Sequence, residues 1–225
     1  MQDWIYILII VFVSVIAGDC VALYSWHLLR NIEDSGFDKN YYISSFPNIL
    51  TGLVVAALNT GIYMVYGFGS VSLIYMFMVF VLTAVSLVDW NSYEIPVQFN
   101  YVLFILGIIR LILDYTHWYT YIIGMFLVSG IFFVLALATK GKGMGGGDIK
   151  LMFTCGLILG WQKIFLVMII GSLLGAVVHS ILMRILKKEH MLAFGPYLAA
   201  GIYVAVTFGD KIISWYLSQF PSVTY

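Results

Sequence analysis

Eight apolar runs succeed one another along the 225-residue chain, at 4–29, 47–66, 71–88, 96–113, 119–138, 149–159, 164–185 and 192–208, the last extendable to Leu217. Most reach or approach the roughly 20 residues that an α-helix needs to cross the hydrocarbon of a bilayer. The sixth is the shortest and barely spans it. The runs are continuous, whereas a membrane β-barrel shows alternating segments of about ten residues. Overall the chain is 62% hydrophobic and 10% charged, against roughly 45–50% and about 25% in soluble domains. The expected fold is an all-α polytopic membrane protein, with about eight transmembrane helices. The first run is too long for a cleaved signal peptide and lacks a basic start, so it reads as a mature helix. Residues 1–70 read as an N-terminal transmembrane pair with a short loop, and residues 71–225 as the core. No internal repeat, linker or low-complexity tail divides the chain.

A net charge of zero gives no general attraction to nucleic acid. Cys20 and Cys155 both lie inside apolar runs and form neither a disulfide framework nor a zinc-ligand spacing. Lysine and arginine set the orientation. Arg30, Lys39, Lys140, Lys142, Lys150, Arg184, Lys187 and Lys188 fall on one side, and Arg110, Lys163 and Lys211 on the other. This split predicts a plasma-membrane protein with both termini outside and residues 30–46, 89–95, 139–148 and 186–190 in the cytoplasm. Trp4, Trp90, Trp118, Trp161 and Trp215 fall near span ends, where an aromatic belt belongs.

Two of the acidic residues stand apart. Asp89, in SLVDWNSYEIP, ends the third span, and Asp148, in GMGGGDIKLM, opens the sixth. An even number of crossings separates them, so both lie at one depth on one face. Two aspartates that share a site do not both ionise easily; one pKa rises and the pair holds a proton near neutrality. That state suits general acid–base attack of water on a carbonyl. The segment before Asp148, KGKGMGGGD, holds five glycines in nine residues. It matches G-x-G-x-x-G formally, but no βαβ unit surrounds it, and no Gly-Lys-Ser/Thr makes it a P-loop. Gly145, Gly146 and Gly147 are instead suited to positive φ and to the close approach of another backbone.

Gly145-Gly146-Gly147-Asp148 is a GxGD motif, Asp89 precedes Ile95-Pro96 in DWNSYEIP, and Phe194-Gly195-Pro196 opens the last span. Together these resemble the type IV prepilin peptidase family of intramembrane aspartyl proteases. The resemblance implies helices around a cytoplasm-facing cavity, with Asp89 and Asp148 as the catalytic pair and Gly145–Gly147 as an active-site loop. Pro96, Phe194, Gly195 and Pro196 support the motif. It implies a substrate that is a prepilin or a pilin-like secretion or competence subunit, cut after the glycine that ends a short basic leader. No metal is implied for that reaction, and membrane lipid is the other partner. S-adenosylmethionine would enter only if an N-methyltransferase activity were retained. Family members with that activity carry two Cys-x-x-Cys pairs in the first cytoplasmic loop, which here reads NIEDSGFDKNYYISSFP and has no cysteine. The family's first-helix Gly-Ser-Phe-x-Asn pattern is also faint, at residues 17–22.

Asp19, in the first span, and His179, in the seventh, fall toward the same leaflet as the two aspartates. Asp19, Lys150 and His179 are candidate cavity residues, since ionisable groups in a span usually face a cavity or a partner. Two other functions fit the same residues. One is an archaeal preflagellin-type peptidase with the same chemistry. The other is a proton-coupled carrier, which should show inverted repeats and broken mid-membrane helices.

Overall fold

The computed structural model describes residues 2–30, 45–141, 143–186 and 193–219. Within them lie eight α-helices: α1 (Gln2–Arg30), α2 (Ser45–Tyr66), α3 (Ser70–Ser92), α4 (Val97–Leu113), α5 (Trp118–Ala138), α6 (Gly146–Leu159), α7 (Trp161–Leu186) and α8 (Gly195–Ser218). A single 3-10 turn, Tyr115–His117, joins α4 to α5. There is no strand among the described residues. Six helices are long and apolar enough to cross a membrane: α1, α2, α3, α5 with its preceding turn, α7 and α8. Seventeen-residue α4 is a shorter apolar helix, and α6 has only fourteen residues, roughly 21 Å.

The surface is that of a chain solvated by lipid. Leu8, Phe12, Met64, Leu137 and Leu173 point outward and are exposed. Trp4, Trp118 and Trp215 are exposed near the ends of α1, α5 and α8. Without a hydrophobic drive between helices in lipid, packing depends on small residues that let backbones approach. Where α1 crosses α2, a Cβ on Gly18 would lie 2.7 Å from the Cα of Gly52. Where α5 crosses α6, a Cβ on Gly156 would run into the carbonyl oxygen of Gly124. These close crossings hold α1 to α2 and α6 to α5, two of the most extensively packed pairs in the bundle. Asn59 Nδ2 adds a 3.0 Å hydrogen bond to Ser14 Oγ across the α1–α2 seam.

Element boundaries shift from those expected. Helix α3 runs four residues past Val88 and stops where Tyr93 adopts the left-handed conformation, φ 57°, its N–H donating to the Asp89 carbonyl. Asp89 is therefore in the helix and the connector to α4 shortens to residues 93–96. Helix α6 begins at Gly146, so Asp148 lies in its first turn. Trp161, Gln162 and Lys163, expected as a turn, are the first turn of α7. The chain reverses at Gly160 alone, with φ 79°, a conformation open to glycine at no steric cost. Helix α8 continues to Ser218. The first loop's Glu33, Asp34, Asp38 and Lys39, together with Lys142, Lys187, Lys188 and His190, lie outside the described residues.

One end of the bundle is tied by charge. Lys163 Nζ, on α7, donates to Asp210 Oδ2 of α8 at 2.8 Å and to Tyr66 Oη of α2 at 3.2 Å. At the same end Asp114, beyond α4, accepts from Tyr121 Oη at 2.6 Å and lies 2.8 Å from His117 Nδ1. Those two hydrogen bonds, led by that of Tyr121, hold the Asp114 carboxyl below its usual range. The candidate site lies at the opposite end, where α3 finishes and α6 begins.

Candidate functional site

Asp89 and Asp148 line one cavity of about 250 Å³, walled also by Tyr93, Glu94 and Ile95 of the α3–α4 connector, by Gly145–Gly147, and by Lys150. The two aspartates are the buried acids of the described core, 4% and 9% exposed. Helices α3 and α6 are not among the closely packed pairs. Helix α4 packs on both, and α8 packs on α3. The carboxylates thus line one cavity rather than a helix–helix seam.

Each carboxylate lies at a helix N-terminus, Asp89 at that of α8 and Asp148 in the first turn of α6. The Gly195 N–H, in the first turn of α8, donates to Asp89 Oδ2 at 2.8 Å. That N–H is among the four left without a carbonyl partner at any helix start, and the positive end of the helix dipole favours a carboxylate there. Phe-Gly-Pro supplies three separate functions. A side chain on residue 195 would strike Asp89, its Cβ 2.8 Å from Oδ2. Pro196, in the first turn, gives up an N–H that would have no helical partner. Phe194 is wedged between helices, its ring 6.0 Å from that of Phe132 on α5 and close to Gly175 of α7.

Asp148 is the third residue of α6, and Gly145 is the helix's N-cap. The Gly145 N–H, at that N-cap, favours the ionised form of the Asp148 carboxyl. A Cβ on Gly145 would lie 2.9 Å from Asp148 Oδ2, and one on Gly147 3.0 Å from Ile95 Cβ. None of Gly145, Gly146 and Gly147 has positive φ, so Gly145 and Gly147 serve close approach and not left-handed backbone, while a Cβ on Gly146 would meet nothing within 4 Å. Asp148 Oδ1 is buried without a hydrogen-bond partner. Asp148 lies outside the six long spans. Burial, reinforced by the charge of Asp89, pushes its carboxyl up to about 7, against the opposing Gly145 N–H.

Pro96 caps α4 at its N-terminus and fixes the turn that brings Ile95 onto Gly147. Asp19 lies elsewhere, at the α1–α2 crossing, its Oδ1 buried without a partner and beside Gly52. His179, on α7, also has a buried, unpartnered Nε2; neither residue lines the cavity. Tyr93, Glu94 and Ile95 do line it. They lie in the stretch between the two aspartate motifs, and the signal for them in the sequence was only their place between Asp89 and Pro96.

Residues 76–180 match the type IV leader peptidase family, a span that holds both aspartates, Ile95-Pro96 and the glycine run. Over that stretch the chain is similar to that family. A prepilin leader peptidase/N-methyltransferase of Aeromonas hydrophila is 30% identical over 178 residues, which are 76% of this chain and 61% of that protein. The protein of that name from Bacillus subtilis is 39% identical over 116 residues, 49% of this chain and 45% of the relative. That of Pseudomonas aeruginosa is 36% identical over 98 residues, 43% and 34%. The chain thus spans about three fifths of the length of the Aeromonas relative. No solved structure matches it.

The zinc site of bifunctional family members needs four thiolates. This chain has two cysteines, Cys20 exposed on α1 and Cys155 buried in α6, and they do not fit such a group.

Proposed function

We propose that this chain is a membrane aspartyl endopeptidase that removes the short basic leader of a prepilin or pilin-like precursor after its terminal glycine. The observation that carries this reading is the pair of buried carboxylates, Asp89 and Asp148, on one small cavity. One carboxylate, ionised, takes a proton from water, whose oxygen attacks the scissile carbonyl. The other, protonated, donates a hydrogen bond to that carbonyl oxygen and stabilises the charge developing there. Collapse breaks the C–N bond as the new amine receives the proton held by the dyad. Glu94 on the cavity wall adds negative charge that suits a basic leader. The positive-inside distribution supports a cytoplasmic site, with both termini outside. The reading is confined to proteolysis, since the thiolates of the methylating relatives' zinc loop are missing from the first loop.

Co-expression with a candidate precursor, followed by mass spectrometry of the product's N-terminus, tests this. Leader loss without methylation is expected from the native chain, and none from Asp89→Asn or Asp148→Asn. Normal cleavage by either variant would remove the dyad from the mechanism.

A further inference from the structure

Between α4, α5 and α6 runs a groove of about 620 Å³, walled mainly by apolar side chains such as Phe104, Phe126 and Phe153. Three buried polar side chains interrupt it. Ser129 Oγ donates to the Met125 carbonyl, and Thr154 Oγ1 donates to the carbonyls of Lys150 and Leu151. Asn100 is different: it is 5% exposed, and neither its Oδ1 nor its Nδ2 has a partner. Lys150 lines both this groove and the aspartate cavity, so the two lie side by side with one wall residue in common. A second groove, of about 490 Å³ between α2, α3 and α8, shares no wall residue with that cavity. Its Thr83 and Ser86 hydroxyls are satisfied by carbonyls one turn back.

A peptide bond inside a helix cannot be cut until its turn is unwound. Unwinding at the membrane frees N–H and C=O groups where little water can satisfy them. A carboxamide is the neutral side chain that offers both a donor and an acceptor. Asn100 is already stripped of water, so pairing with such groups would cost it no further desolvation. We propose that Asn100 is a substrate-positioning residue. Its carboxamide pairs with the backbone N–H and C=O freed just after the scissile bond, while the precursor's hydrophobic helix lies in the α4–α5–α6 groove. This rests on the function proposed above.

The test uses purified full-length chain in phospholipid nanodiscs and two synthetic precursors, each with a lysine-rich leader ending in glycine before an apolar helix. In one, the first turn after the bond is helix-forming; in the other, it is replaced by glycines. Asn100→Leu should lower kcat/KM for the first by roughly 10- to 100-fold. The second, which needs little unwinding, should be cut about as well by the variant as by the native chain. Thermal stability of Asn100→Leu should be unchanged or higher, because an unpartnered buried amide is removed. Equal losses on both peptides, or no loss on either, would overturn the proposal, as would a drop in stability that accounts for the loss. A benzophenone amino acid at Phe104 should crosslink to the precursor; crosslinks to lipid alone there, with precursor captured from Met78 in the other groove, would also overturn it. If the native chain cuts neither peptide, the peptidase reading itself fails, a result visible before any variant is made.

Discussion

The Gly195 N–H and Asp89 Oδ2 lie 2.8 Å apart, so the first turn of α8 fixes a carboxylate that the last turn of α3 presents. A methyl at residue 195 would meet Asp89 Oδ2 at 2.8 Å and its Cβ and Cγ at 3.2 Å. Gly195→Ala should therefore displace Asp89. A displacement of this kind costs on the order of 10- to 100-fold in kcat, with about 1–3 kcal/mol of stability lost to overpacking. Steady-state cleavage and thermal unfolding of the same preparation check both.

Ile95 presses on Gly147, and the two should be coupled. Gly147→Val drives a side chain into Ile95, whose Cβ would be 3.0 Å from the new Cβ, and should lower activity. Ile95→Ala, placed in the same chain, should recover part of the loss. A double-mutant cycle on cleavage rate measures the coupling; strict additivity would mean that the connector and α6 adjust separately.

The raised pKa of Asp148, near 7, makes stability depend on pH in a stated direction. The fold disfavours the ionised carboxyl, so the contribution is full below about pH 4, where unfolded chains also hold the proton, and declines as pH rises toward 7. The cost at pH 8 should be on the order of 4 kcal/mol. Asp148→Asn should flatten that slope and leave a chain more stable than native at pH 8, read by thermal melts across the range. Cleavage by the native chain should fall as pH rises past about 7, because the pair then loses its shared proton.

Lys163 supplies a contrast at the other end. Lys163→Met gives up the hydrogen bonds to Asp210 and Tyr66. Asp210 is largely exposed, so the loss should be about 1 kcal/mol and no more. Cleavage should be unchanged. A large fall in activity would mean that the two ends of the bundle are coupled.

The chain's number of helices and the shared face of Asp89 and Asp148 could be read from hydropathy and from parity of crossings alone, because both follow from a period and a length. Boundaries were harder to read. Polar Asp-Trp-Asn-Ser after Val88 looks like loop, yet the helix continues through it until Tyr93 turns left-handed without a glycine to announce it. Trp161, Gln162 and Lys163 look like a turn, yet Gly160 makes the reversal alone and they are free to be helical. The glycines before Asp148 were legible as a need for small residues, but the neighbour of Gly147 is Ile95, a contact between segments some fifty residues apart. Asn100 carried no warning beyond being an amide in an apolar run.

The shortness of α6 bears on the bilayer around it. The chain reverses at Gly160, beside Trp161 and Lys163, side chains that belong at a membrane surface. From Leu159 back to Asp148 is eleven residues, roughly 16 Å of helix, while the hydrocarbon is about 30 Å thick. Helix α6 is thus shorter than the hydrocarbon by roughly 10–15 Å, a mismatch met by local thinning of the bilayer or by water at its ends.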